Sequence, residues 1–326
     1  MNADDDSRSP RDAVRRRKAE LQAQLKVTRD DIERQVRDGR ERFDQVNERI
    51  TERTGRNLIL AILIGVVLGG VLVASLIFVK VVFAVFATMI VGFTAFELAQ
   101  ALRRTGRYVD PIAAVIAAVF IIGTAYFIDA PSRGMVLAGA IAFVVVYRLV
   151  AQMASGVRRS VRDVVSDLAT AAFIQIYVPW LASFAVVLVS QERGEWWTLA
   201  FIILVVSVDI GAYAAGLSFG KHPMAPKISP KKTWEGFAGA VGCSILAGVL
   251  LAVFMIDQPW WIGVILGVLI LGSATVGDLA ESMIKRDMGI KDMSSWLPGH
   301  GGFLDRLDSI LPSAAVMFAV YTLVVH

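Results

Sequence analysis

An all-α, polytopic membrane protein with about nine helical spans is what this sequence predicts, on three observations. Hydrophobic residues make up 56% of the 326 and charged residues 19%, with a mean hydropathy of +0.60. A soluble domain of this length carries roughly a quarter charged residues and shorter apolar runs. Apolar stretches near the length of about 20 residues needed to cross a bilayer recur along most of the chain. Basic residues collect in alternate connections between those stretches. Runs of this kind in lipid must be helices, because strands would need paired edges and would show an alternation that is missing here.

Residues 1–56 form a charged segment of 15 Lys/Arg and 13 Asp/Glu. Val36, Phe43 and Ile50 lie seven apart, a weak heptad pattern interrupted at Gln22, Arg29 and Gly39. The segment reads either as a solvated helical or partly disordered cytosolic tail or as a coiled-coil contact with a partner or second subunit, a homodimer. The first apolar run starts near Leu58, too late for a cleavable signal, so the first span is expected to be retained.

From Asn57 onward, spans are expected at 58–79, 81–101, 111–128, 134–154, 171–190, 196–219, 234–256, 260–284 and 308–325. Only Lys80 separates the first two, so a fused pair would make one span fewer. The segment 155–170 has the pattern of an amphipathic helix lying along the inner surface. Three regions follow: the tail at 1–56, N-terminal spans at 57–190 and a polar-rich set of spans at 191–326.

Charge sets the orientation. With the N-terminus in the cytosol, the inner connections hold Arg103, Arg104 and Arg107, then Arg158, Arg159 and Arg162, then Lys221, Lys227, Lys231 and Lys232, and last Lys285, Arg286, Lys291 and Arg306. The outer connections hold only Lys80, Arg133 and Arg193. This asymmetry predicts a multi-pass protein of the cell inner (plasma) membrane with tail and polar loops in the cytosol. Nearly half of the basic residues sit in the tail, which is almost as acidic as it is basic, so no nucleic-acid partner is expected. The single cysteine, Cys243, excludes an intramolecular disulfide framework and a cysteine cluster for zinc.

Three polar constellations sit at the inner ends of the late spans. Asp209, Tyr213 and Gly216 fall on one helical face, followed by Gly220 and Lys221. A carboxylate at that depth costs several kcal/mol unless paired or metal-bound, and points to function or to a buried ion pair. The loop from Lys227 to Gly236 offers the hydroxyls of Ser229 and Thr233 and the charges of Lys231 and Lys232 at a helix start, where backbone amides favour phosphate. A plain positive-inside loop reads equally well there. The third constellation places Asp278, Glu281, Ser282 and Lys285 on one face, followed by Arg286, His300, Gly301, Gly302, Asp305, Arg306 and Asp308. Asp305 and Asp308 would point the same way in a helix, and carboxylates from neighbouring helices can hold a hard cation.

The stretch Ser282-Met-Ile-Lys285-Arg286, then Lys291-Asp292-Met-Ser294, then Leu297-Pro298-Gly299-His300-Gly301-Gly302-Phe303-Leu304-Asp305-Arg306-Leu307-Asp308 resembles the signature of the phosphatidate cytidylyltransferases (CDP-diacylglycerol synthases), with no departure across its 27 residues. The segment Ser229 to Gly236 and the Asp209/Tyr213/Gly220/Lys221 group are also similar to that family. The match covers roughly residues 200–326, and the earlier spans agree only in being hydrophobic. The resemblance implies transfer of the cytidylyl group of CTP to phosphatidate, giving CDP-diacylglycerol and pyrophosphate, with Mg²⁺ required and K⁺ as an accompanying metal. It implies metal at Asp278, Asp305 and Asp308. Phosphate contacts would fall to Lys285, Arg286, Ser229, Lys231 and Lys232, with His300 binding phosphate or shaping its loop. Other expected substrate contacts are Thr233, Ser282, Gly301, Gly302, Arg306, Tyr213, Lys221 and Asp209, the last also a metal candidate. A CTP-dependent transferase acting on another membrane lipid, or a transporter of an anionic solute, are the competing readings. Against a transporter, the polar groups crowd the inner boundary instead of the midplane.

Overall fold

The computed structural model describes residues 58–128, 130–156, 159–297 and 301–325; the heptad-spaced tail and His300 lie outside them. The chain divides into two compact units, Met1–Ile62 and Leu63–His326. Of the first, only the opening turns of a helix are described, and the account below concerns the second.

The elements are α1 (Leu58–Phe78), α2 (Lys80–Arg104), α3 (Pro111–Ala125), α4 (Ala130–Ser155), α5 (Val161–Gln175), a π-helical turn (Ile176–Trp180) and α6 (Leu181–Ser190). There follow α7 (Gly194–Phe219), a short hairpin of β1 (Pro223–Ala225) and β2 (Ser229–Thr233), α8 (Trp234–Phe254), α9 (Trp260–Asp287), α10 (Leu304–Leu307) and α11 (Ile310–Val325). The chain is all-α apart from the hairpin. Among the described residues, seven helices are long and apolar enough to cross a membrane, and α3 and the apolar part of α1 are shorter. Large apolar side chains stand on the outside of the bundle: Phe78, Phe254 and Leu323 are 81%, 80% and 83% exposed. Water would not tolerate that exterior, and a bilayer solvates it.

The helix starts follow local chemistry. Asp110 accepts from the amides of Ile112 and Ala113 with Pro111 at the first helical position, and Ser160 caps α5 through the amide of Asp163. At the junction left open in the sequence, Val79 takes an extended conformation (φ −146°, ψ 90°) and separates α1 from α2. Lys80 then reaches Glu195 at 2.6 Å. The 155–170 segment differs from expectation. From Val161 to Ser190 the chain forms one 30-residue helical run, interrupted only in type by the π-turn around Pro179. About 45 Å of helix exceeds the hydrocarbon core of about 30 Å, so the polar start of α5 is an extension of a span.

Packing between the late helices depends on missing side chains. In lipid, association relies on close backbone approach, since burying apolar surface gains little there. A Cβ on Gly211 of α7 would sit 2.8 Å from the Gly239 carbonyl oxygen of α8, and one on Gly267 of α9 would sit 2.7 Å from the Ser244 carbonyl oxygen of α8. Among the described residues, one small apolar cluster and two large ones result. One gathers Leu98, Ile122 and Ile174 and extends to Met293 and Leu304 near the C-terminus. The other packs Leu188, Phe201 and Leu204 against Leu266, Ile270 and Tyr321. Thus the last polar loop is set into the core of the N-terminal spans.

Candidate active site

Between α7, the hairpin, α8 and α9 lies a cavity of about 290 Å³. Asp209, Tyr213 and Gly216 reach it from α7, Lys231 to Thr233 from β2, and Asp278 from α9. Its floor is apolar, with Val208, Ala240, Leu271 and Ala274 packed beneath. Six of the residues that the sequence singled out, spread over 70 positions, therefore meet on one surface: Asp209, Tyr213, Lys231, Lys232, Thr233 and Asp278. Glycines make the meeting possible. A Cβ on Gly236 would lie 2.8 Å from the Ala212 carbonyl oxygen, so α8 starts in backbone contact with α7.

Charges of both signs oppose one another in the cavity. Lys232 forms an ion pair with Asp278. Asp209, Asp278 and Asp308 lie within electrostatic reach of each other, and Arg306 acts on Asp209. Asp308 accepts from the amide of Ser309 at 2.7 Å. The π-turn adds a residue not foreseen from sequence. Tyr177 has a buried hydroxyl without a hydrogen-bond partner among the described residues, within electrostatic reach of Glu281, Asp308 and Asp278. π-turns inside helices are frequent at functional sites, and a proline in an apolar span is the signal that could have marked this one.

Beside the cavity, the signature segment builds a second, closed constellation. Lys285 donates to Asp305 at 2.8 Å and also pairs with Glu281, which is fully buried. The other Asp305 oxygen accepts from the amides of Gly302 at 2.7 Å and Met293 at 3.1 Å. Gly301, at φ +84°, pairs with Leu297 through reciprocal backbone bonds. Glu97, 2% exposed on α2, accepts from the amides of Phe303 at 3.2 Å and Leu304 at 2.8 Å and from the Ser294 hydroxyl. Glu97 was not among the expected site residues. A lone carboxylate in an apolar run was the signal for it.

The contacts refine several expectations. Asp305 and Asp308, both in helical backbone, have different partners: Asp305 accepts from the loop amides of Met293 and Gly302, while Asp308 lies within electrostatic reach of Asp278 and Asp209. The face carrying Asp278, Glu281, Ser282 and Lys285 likewise divides, with Ser282 donating to Asp278 at 3.4 Å while Glu281 and Lys285 serve the loop. Two of the amides expected to receive phosphate at the start of α8 are engaged internally. Trp234 N–H donates to the His222 carbonyl at 3.0 Å, and Gly236 N–H donates to the Thr233 hydroxyl at 3.1 Å. Ser229, Lys221 and Arg286 do not line the cavity. Ser229 opens β2 opposite Ala225, the Lys221 amide donates to Glu235, and Arg286 Nε holds the hairpin through the Ile228 carbonyl at 3.2 Å.

Residues 59–324 match the Cytidylyltransferase family. The chain belongs to it. Among its relatives, the phosphatidate cytidylyltransferase of Mycobacterium bovis is 39% identical over 278 residues, covering 84% of this chain and 91% of the relative. That of Mycobacterium leprae is 40% identical over 285 residues, at 84% and 90% coverage. The phosphatidate cytidylyltransferase of Brucella suis is 38% identical over 142 residues, 42% of this chain. The likeness to mycobacterial cytidylyltransferases thus runs through the N-terminal spans, well beyond the signature.

Among the described residues, no group of three or more Asp, Glu, His or Cys side chains forms a ready-made metal cage. That does not conflict with Mg²⁺, which commonly takes one or two carboxylates together with substrate phosphates and water. Asp278 and Asp308, within electrostatic reach of each other, have the hard-oxygen chemistry such an ion needs. Asp305, with both oxygens already accepting, has less to offer a cation.

Proposed function

We propose that the chain transfers the cytidylyl group of CTP to phosphatidate, in phospholipid biosynthesis. The observation that carries this is the convergence of Lys231, Lys232, Asp209 and Asp278 on one cavity with an apolar floor, in a chain 39% identical to a phosphatidate cytidylyltransferase over most of its length. An ionised phosphate oxygen of the lipid attacks the α-phosphorus of CTP. The new P–O bond forms as the bond to the β-phosphate oxygen breaks, and pyrophosphate leaves with that electron pair. No proton has to be removed from a phosphate already ionised at neutral pH, so no histidine base is required. Both reactants are anions, and the protein's task is charge neutralisation and in-line alignment.

Lys231 and Lys232 are the groups for the triphosphate. An entering nucleotide competes for Lys232 and releases Asp278 from its ion pair. Asp278 and Asp308 would hold Mg²⁺, which supplies positive charge at the phosphates, and Asp209 would serve an accompanying K⁺ ion. Arg306, within electrostatic reach of Asp209, adds positive charge nearby. The cavity and basic connections are assigned to the cytosolic side of the inner membrane by the positive-inside asymmetry, where CTP arrives from water and the lipid headgroup from the leaflet.

The test is a mixed-micelle assay with the full chain, labelled CTP and varied divalent cation. Product formation that requires both phosphatidate and Mg²⁺ is expected. Equal transfer to a polyprenyl or ether lipid phosphate, or CTP consumption indifferent to lipid, would overturn the assignment. Orientation is read from single cysteines at Ser295 and Gln191 in a Cys243→Ala background. An impermeant thiol reagent outside intact cells should label position 191 and leave position 295 unlabelled until the membrane is opened.

A further inference from the structure

We infer that Glu97, on a span outside the signature, is a positioning residue for the reaction: it clamps the signature loop from the N-terminal half of the bundle. The inference rests on the activity proposed above, but the geometry stands by itself. A carboxylate buried to 2% exposure needs its acceptor capacity filled, because an unsatisfied charge in a low-dielectric interior is strongly unfavourable. All the donors recorded for Glu97 come from one distant segment. They are the Ser294 hydroxyl, the Phe303 amide and the Leu304 amide, about 200 residues along the chain.

Two of these amides open α10, where the first N–H groups of a helix lack intrahelical partners. Glu97 therefore acts as a helix cap supplied in trans. It holds the entry to α10 one residue before Asp305 and one residue after Gly302. Gly302 records the closeness of the clamp, since a Cβ built there would stand 2.7 Å from the Glu97 carboxylate carbon. An aromatic wall closes the loop above it, with Phe93 stacked on Phe303 at 5.5 Å and Phe96 stacked on Trp296 at 5.6 Å between ring centres. Phe93, Phe96 and Glu97 lie together on α2, so one helix supplies the carboxylate and the rings.

The consequence for catalysis runs through Gly302. Its amide donates to the Asp305 oxygen that also accepts from Met293, and the second Asp305 oxygen receives Lys285. Glu97 fixes the backbone at Gly302 to Leu304, that backbone fixes Asp305, and Asp305 fixes Lys285 and the turn into Asp308. None of the three hydrogen-bond partners of Glu97 lines the cavity, so loosening it should lower turnover while leaving nucleotide affinity nearly unchanged.

The experiment compares Glu97→Gln, Glu97→Ala, Gly302→Ala and the Glu97→Ala/Gly302→Ala pair in the full-length protein. A spin label at Ser295 in the Cys243→Ala background reports loop mobility. Glu97→Ala is expected to lower kcat by about 100-fold with KM for CTP within about threefold, and to sharpen the spin-label spectrum. Glu97→Gln, nearly the same shape, should fall between, because its NH₂ must face one of three donors, and it keeps the test open if Glu97→Ala fails to insert. Gly302→Ala should lose activity in the natural background and add little loss to Glu97→Ala, since the added methyl collides with a carboxylate that is then absent. Unchanged turnover in both Glu97 variants, a loss with an unchanged spectrum, or fully additive losses would overturn the clamp. If the natural protein makes no CDP-diacylglycerol, the activity reading fails. The spin-label spectra still decide the clamp in that case.

Discussion

Two groups of carboxylates lie side by side at the same end of the bundle, and their surroundings assign them different work. Asp209 and Asp278 border an open cavity, with Asp308 beside them, and the recorded partners on that side are a lysine at the cavity edge, the Ser282 hydroxyl and the amide of Ser309. Asp305 and Glu97 lie in packed surroundings and accept from Lys285, Ser294 and four backbone amides, and the buried Glu281 beside them forms an ion pair with Lys285. Residue type does not separate the groups, and both include residues of the signature stretch. What differs is whether the oxygens face a space that a substrate can enter or face donors already in place. A carboxylate can serve a cation only with lone pairs to spare, whereas one that receives several N–H groups is a brace.

The sharpest test of that contrast is a set of Asp→Asn substitutions. Asp278→Asn and Asp308→Asn should reduce turnover by about 10³-fold and raise the Mg²⁺ concentration needed for half-maximal rate, because the amide keeps the shape and loses the charge. Asp305→Asn should lose about 10²-fold by loosening its loop, with the Mg²⁺ requirement unmoved. An Mg²⁺ titration of the three variants decides, and a shift for Asp305→Asn equal to that for Asp308→Asn would dissolve the distinction.

The lysines extend the comparison. Lys285→Met leaves Glu281 and Asp305 buried without their cation, and should destabilise the protein by about 3 kcal/mol or more, seen as a lower unfolding temperature in detergent. Lys232→Met removes charge at an open cavity. It should cost about 1.4–2.8 kcal/mol of transition-state stabilisation, a 10- to 100-fold loss in kcat/KM for CTP, with the unfolding temperature held within a few degrees. If Lys232→Met unfolds the protein as readily as Lys285→Met, the cavity is as structural as the brace. The smallest effect is expected from deleting residues 1–50, since every residue assigned to the site lies beyond them. Catalysis in detergent should be retained, and a folded, inserted truncation without activity would bring the tail into the site.

Much of this was legible in the sequence for identifiable reasons. Apolar runs of bilayer length specify helices because lipid offers the backbone no other partner, and Asp110 with Pro111 announces a helix start. The spacing of Asp209 and Tyr213 and the lysines before Trp234 placed residues that do meet on the cavity. The hairpin was missed because Ser229-Pro-Lys-Lys-Thr233 has no apolar alternation. Glu97 was passed over inside an apolar run, where only its charge hinted at a partner.

What the sequence determined by itself, then, is local: which segments are helical, where they begin, and which residue types stand at the polar ends. It could not decide which carboxylates remain open. Asp305 and Asp308, three residues apart, have different partners because folding brings the Lys285 ammonium and the loop amides of Met293 and Gly302 to Asp305. The amides of Trp234 and Gly236 at the start of α8 look available in sequence, and they are closed by the His222 carbonyl and the Thr233 hydroxyl. A donor or acceptor is free or engaged only relative to groups that folding brings to it, and for these carboxylates the engaging groups arrive from distant helices. Chemistry is written into residue types, but its availability is settled by tertiary packing.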